Sequence, residues 1–189
     1  MSFLIGLFFI IFNGALGIIY ESLWHGTICV YYILLTLIRG IIVFYQRKKN
    51  YRDIVNGRLL RNKVSKYTHI MLFALNLALI VPITIMVKGE RAYNYGLIPA
   101  IAMAAYTFYK IGLSTINLKN ARKETNCLIK ELRVINMIDT LVAILSLQNA
   151  MIIANGGGDN MRVIMSYSSA GIFAIIVILT IRSMMINKE

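Results

Sequence analysis

Apolar runs of about 18 to 21 residues recur along this chain, and each is long enough to cross roughly 30 Å of hydrocarbon as a helix. They lie at about 3–19, 28–45, 69–87, 96–116, 137–154 and 163–181. A soluble helix needs a polar face, and these runs lack one. The expected fold is an all-α integral membrane protein, a single transmembrane domain over residues 1–189. It has six transmembrane helices arranged as three helical hairpins. The expected location is the cell membrane, as a multi-pass protein. Span one has no Lys or Arg before it, so it reads as a retained helix rather than a secretory leader.

The charge of the chain is clustered between these runs. Gln46 to Thr68 carries Arg47, Lys48, Lys49, Arg52, Arg58, Arg61, Lys63 and Lys66 against the single acid Asp53. Basic loops stay on the cytoplasmic side, which puts both termini inside. In that orientation all of the 20 basic residues except Lys88, Arg91 and Arg162 fall at or near the cytoplasmic face. The net charge of +12 is therefore a topology and headgroup signal, not a sign of nucleic-acid binding. The expected contacts of this loop are anionic lipid headgroups or a protein partner. Tyr51, Val55 and Leu59 repeat every fourth residue, as a basic amphipathic helix lying on the inner membrane surface would. Leu118 to Asn136 repeats the theme. Leu118, Ala121, Thr125, Leu128, Leu132 and Ile135 form an apolar stripe that either extends a span or presents a partner surface.

The outer connections are short. Tyr20 to Thr27 reads as a wet interfacial turn, in which Glu21 and His25 stand four residues apart. Asn155 to Asn160 reads as a hairpin turn, because no Gly-Lys-Ser/Thr follows its glycines. Pro82 interrupts span three and is expected to kink it. Small residues recur every fourth position at Gly96, Ala100, Ala104, at Ser146, Ala150, Ala154 and at Ser166, Ala170, Ala174, as on close-packing helix faces. A Thr before a cation closes spans two, four and six, a faint hairpin repeat of the kind transporters show. Cys29 and Cys127 are expected on opposite sides of the bilayer, where they cannot bridge.

Charges inside spans are costly and mark candidate sites. Arg39, Lys110 and Asp139 qualify, and the expected arrangement pairs Asp139 with Arg39 or Lys110. The competing arrangement lets both cations snorkel to the inner headgroups. The deeper amides Asn13, Asn76, Gln148 and Asn149 either line a solute path or join helices by hydrogen bonds. No catalytic motif, metal-ligand spacing or cofactor signature is present. The function expected is a small-solute or ion transporter, a channel or a solute-binding membrane subunit. The alternative is an accessory, sensor or assembly protein acting through its basic cytoplasmic helices, and a membrane-embedded enzyme comes third. A homo-oligomer or a membrane-protein partner fits so small a chain.

Overall fold

The computed structural model describes residues 2–49, 54–88, 97–121, 127–154 and 159–186. All of the described elements are helical: α1 (Ser2–Ile19), α2 (Leu23–Lys49), α3 (Ile54–Ala78), α4 (Ile80–Lys88), α5 (Leu97–Ala121), α6 (Cys127–Ala154) and α7 (Asp159–Ile186). Four stretches are long and apolar enough to cross a membrane, namely Leu23–Phe44, Lys66–Ile85, Ile129–Ala154 and Val163–Met184. Gly6–Ile19 is a shorter apolar helix. The polar residues Thr107, Lys110, Ser114, Thr115 and Asn117 dilute α5.

The packing is inverted relative to a water-soluble bundle. Phe8, Ile18, Phe44, Ile98, Phe108, Ile164 and Tyr167 are all exposed, while Asn13, His25, Arg39, Asn76, Asp139 and Ser169 are buried. An apolar exterior is what a helix facing lipid requires, and interior polar groups then pair across helices.

α2 is the central helix, packing on α1, α3, α4 and α6, and α6 also packs on α5 and α7. The core joins Trp24, Ile28, Leu35, Ile38 and Ile42 of α2 to Ile135, Ile138, Val142 and Leu145 of α6. The expected pairing of spans three and four differs from the one found. Among the described residues α5 pairs mainly with α6, and α3 and α4 pack on α2 and α7.

The reason lies in the α5–α6 seam, where each step down α5 meets an equal step up α6. Arg133 Nη1 donates to the Asn117 carbonyl at 3.4 Å, and Ser114 Oγ to the Asn136 carbonyl at 3.2 Å. Thr107 Oγ1 donates to the Ala143 carbonyl at 3.2 Å, while Thr140 Oγ1 stands 3.5 Å from the Lys110 carbonyl with its proton on the Asn136 carbonyl of its own helix at 2.9 Å. Hydroxyls that reach a carbonyl of the facing helix fix the register of the antiparallel pair.

Two connections also differ from expectation. The first turn is only Tyr20 to Ser22, because Glu21 takes a left-handed φ of 48°. Ser22 N–H then returns to the Gly17 carbonyl at 3.1 Å, the 6→1 bond of a Schellman cap. Trp24 and His25 thus belong to α2 and are buried, not set in a wet loop. A residue with a Cβ is disfavoured in that conformation, so Glu21→Gly is expected to raise stability by about 1 kcal/mol in a thermal or denaturant titration. An unchanged or lower midpoint would count against the strain.

Span three is interrupted, as expected at Pro82, where α3 ends at Ala78 and α4 begins at Ile80. Pro82 has no N–H to give to the Ala78 carbonyl. The chain tightens instead, with Leu79 N–H on the Asn76 carbonyl at 3.1 Å, and α4 resumes with Ile83 N–H on the Leu79 carbonyl at 3.2 Å.

The basic segment before α3 is not a separate surface helix, since residues 54–65 run continuously into the apolar part of α3. The 118–136 stripe extends spans, one of its two expected arrangements, with residues 118–121 ending α5 and residues 127–136 beginning α6. Of the small-residue faces, Ser146 and Ala150 are buried, whereas Ala170 and Ala174 are exposed on α7.

Candidate functional site: a buried ionic centre

α2, α5 and α6 each bring one charged side chain to the interior. Asp139 Oδ2 accepts from Arg39 Nη2, and Asp139 Oδ1 contacts Lys110 Nζ. Arg39 also reaches the Ile135 carbonyl at 3.5 Å, one turn from Asp139 on α6. Both cations therefore turn inward to one carboxylate. The carboxylate is 1% exposed and each cation 7%, so screening by solvent is slight.

Aromatic rings enclose the centre. Lys110 Nζ lies 4.9 Å from the Tyr106 ring centroid and 5.3 Å from that of Tyr32, within cation–π range. Phe9 of α1 stacks on Tyr106 at 4.0 Å between centroids and meets Tyr32 edge-on at 4.9 Å. Tyr31 sits edge-on to Tyr32 at 5.9 Å.

A cleft of about 570 Å³ opens between α1, α2, α3 and α4. Gly17, Gly26, Val30, Leu75 and Pro82 line it, with Glu21 and Ser22 of the first turn among its polar margins. Tyr31, edge-on to Tyr32, also lines this cleft.

The deeper amides do not converge on that centre. Asn13 donates to the Phe9 carbonyl at 2.9 Å and its Oδ1 lies 3.1 Å from His25 Nδ1, joining α1 to α2. Asn76 donates to Thr180 Oγ1 at 2.5 Å, joining α3 to α7. Gln148 donates to Ser168 Oγ at 2.5 Å, joining α6 to α7. Asn149 is buried, and its Nδ2 has no protein acceptor among the described residues. Each bonded amide crosses a helix pair, as intramembrane amides do.

A second polar cluster was not anticipated from the sequence. His69 Nε2 lies 3.2 Å from Ser183 Oγ and 3.7 Å from Glu131 Oε1. Serine and acid share one ring nitrogen, whereas a Ser–His–acid relay needs them on opposite nitrogens. The cluster ties α3, α6 and α7 together. Its signal was the spacing of Glu131, Ile135, Ile138, Asp139 and Val142, which puts Glu131 on the buried face of α6.

Of the basic residues assigned to headgroups or a partner, Lys66 is exposed. Arg47, Lys48 and Lys49 fall on the last turn of α2, and Arg58, Arg61 and Lys63 on α3, while Arg52 lies outside the described residues. Among the described residues no group of three or more His, Cys, Asp or Glu side chains is placed to hold a metal ion. No protein-family model, curated protein or solved structure matches the chain.

Proposed function

We propose that this chain is a six-span protein of the cell membrane, with both termini inside, that binds or moves a small solute or ion through a site built on Arg39, Asp139 and Lys110. The observation that carries this reading is the enclosed ionic centre at the meeting of α2, α5 and α6. Charges of this kind are expensive inside a bilayer and mark solute or ion paths. A purely structural join would need no charge, because well-packed apolar residues serve as well or better. The cleft supports the reading by being lined by Tyr31, which sits edge-on to Tyr32, the ring 5.3 Å from Lys110 Nζ.

The orientation follows from the basic segments at the inner ends of α2 and α3. A cysteine at Glu21, in a background with Cys29 and Cys127 replaced by Ala, is expected to react with a membrane-impermeant maleimide from outside. A cysteine at Lys66 is expected to react only after the membrane is permeabilised. The reverse pattern would invert the topology.

The functional test is flux in reconstituted vesicles against a panel of small ions and solutes, with Lys110→Met as the paired control. Flux lost in that variant supports the reading. Absence of flux, together with stoichiometric copurification of a larger membrane protein from native membranes, overturns it. The basic segments 46–68 and 118–136 would then be the contact of an accessory subunit.

A further inference from the structure

We infer that the cleft between α1, α2, α3 and α4 is a binding site for a lipophilic amine, with Glu21 taking its ammonium group. The inference goes beyond the solute-handling reading and is independent of it, since none of Arg39, Lys110 and Asp139 lines the cleft. The cavity of about 570 Å³ lies within the range of small-molecule sites, roughly 300 to 1,000 Å³. Its lining runs along α2 from Ser22 to Leu34, about 18 Å of helix. Of that lining, Leu23, Val30, Leu34 and Val81 are exposed. The cleft therefore opens on the apolar exterior of the bundle, and its occupant needs an apolar body.

Charge decides the head group. The chain carries 20 basic residues against 8 acidic ones, yet among the described residues the single charged side chain lining the cleft is the Glu21 carboxylate. The ion pairs among the described residues do not include it. Oxygen acceptors stand beside it. The Thr27 hydroxyl gives its proton to the Trp24 carbonyl at 2.9 Å, and Ser22 Oγ accepts from His25 N–H at 3.4 Å. Ala78 and Pro82 both line the facing wall, and the proline leaves the Ala78 carbonyl without its usual N–H donor. Backbone freed in this way is tolerated at membrane depth where it lines a cavity. An ammonium has three donors and no acceptor, which suits such a set. A phospholipid with an ammonium head fits less well. Its phosphate would stand near Glu21 with no Lys, Arg or His of the described lining to offset it.

The conformation of Glu21 points the same way. It holds a left-handed φ of 48°, a region that a residue with a Cβ avoids and glycine takes freely. The turn closes through backbone groups, Ser22 N–H on the Gly17 carbonyl at 3.1 Å, and glycine would serve it better. What glycine cannot supply is a carboxylate at the margin of the cleft. Backbone strain kept at a side chain that the turn does not need points to a use for that side chain.

The test uses the full chain in phosphatidylcholine nanodiscs at neutral pH, with octylammonium as the probe and octanol and octanoate as its neutral and anionic matches. Octylammonium is expected to raise the melting midpoint by about 2 to 4 °C, octanol by less, and octanoate not at all. Glu21→Gln keeps the shape, removes the charge and should abolish most of the octylammonium shift. Glu21→Gly should start from a higher midpoint and lose the shift as well, so that folding and binding move in opposite directions. Gly26 lines the cleft, and a Cβ there meets nothing within 4 Å. Gly26→Leu should therefore fold, extend into that open space and weaken apparent octylammonium affinity several-fold. No shift in wild type, an equal shift with octanoate, or a shift that Glu21→Gln retains in full overturns the inference. A midpoint that rises instead when phosphatidylethanolamine replaces part of the phosphatidylcholine, and only with Glu21 present, overturns it in favour of a lipid head group. Solute flux through the ionic centre, present or absent, leaves these outcomes unchanged, so the two readings fail separately.

Discussion

Replacing Asp139 with Ala is expected to lower stability by about 3 to 5 kcal/mol, the usual cost of removing one partner from a buried ion pair. The loss comes from what stays behind. Arg39 and Lys110 would face each other inside the bundle with no carboxylate between them. Neither has an easy exit, since each is 7% exposed and Arg39 is already bonded to α6. The signature of the pairing is therefore coupling. In Asp139→Ala/Arg39→Met the second change should recover part of the loss, and Asp139→Leu/Arg39→Met/Lys110→Met should come close to wild type. The measurement is reversible unfolding in bicelles, read as a midpoint and slope. Strictly additive losses across the set would show that the three side chains do not act as a unit. The triple replacement also separates structure from function, because a stable protein that has lost all solute handling would place the charges in the activity.

The centre was legible in outline because cost is legible. A charge in an apolar run needs an explanation wherever the helices go, and Arg39, Lys110 and Asp139 were three such charges. Which cation would reach Asp139 was not legible, and both do. The membrane character came from run length and hydropathy, which need no tertiary information. Helix pairing did need it. The α5–α6 seam depends on Thr107 and Ser114 meeting facing carbonyls, and a hydroxyl in sequence does not say which neighbour it faces. Trp24 and His25 were misplaced for a related reason. Hydropathy saw a polar patch in YESLWHGT, whereas the tight turn at Glu21 brings α2 in three residues after α1 ends and buries both side chains. Glu131 was hidden by its neighbours, because a surrounding run of Lys and Arg looks like a solvated helix even when one face of it is interior.

Gly17→Leu is expected to destabilise the protein by about 1 to 3 kcal/mol, the range for overpacking a close contact. A Cβ at Gly17 would stand 3.2 Å from the Gly26 backbone N and 3.5 Å from its Cα. A few tenths of an ångström accommodate Ala, but a leucine side chain must push the helices apart, because the atoms it meets are backbone. The contacts that follow the crossing are at risk with it: Asn13 on His25 at 3.1 Å, and the Phe9 ring between Tyr32 and Tyr106 beside Lys110. Gly26 lies at the same crossing, yet its own Cβ direction is open, with nothing within 4 Å. Gly26→Ala should therefore cost nothing and gain from its better helix propensity. The pair of variants makes the test directional. Equal losses at Gly17 and Gly26 would mean that the two helices do not cross in this register. A loss confined to Gly17→Leu, with weaker coupling between Asp139 and Arg39 in the same background, would tie the α1–α2 crossing to the ionic centre through Phe9.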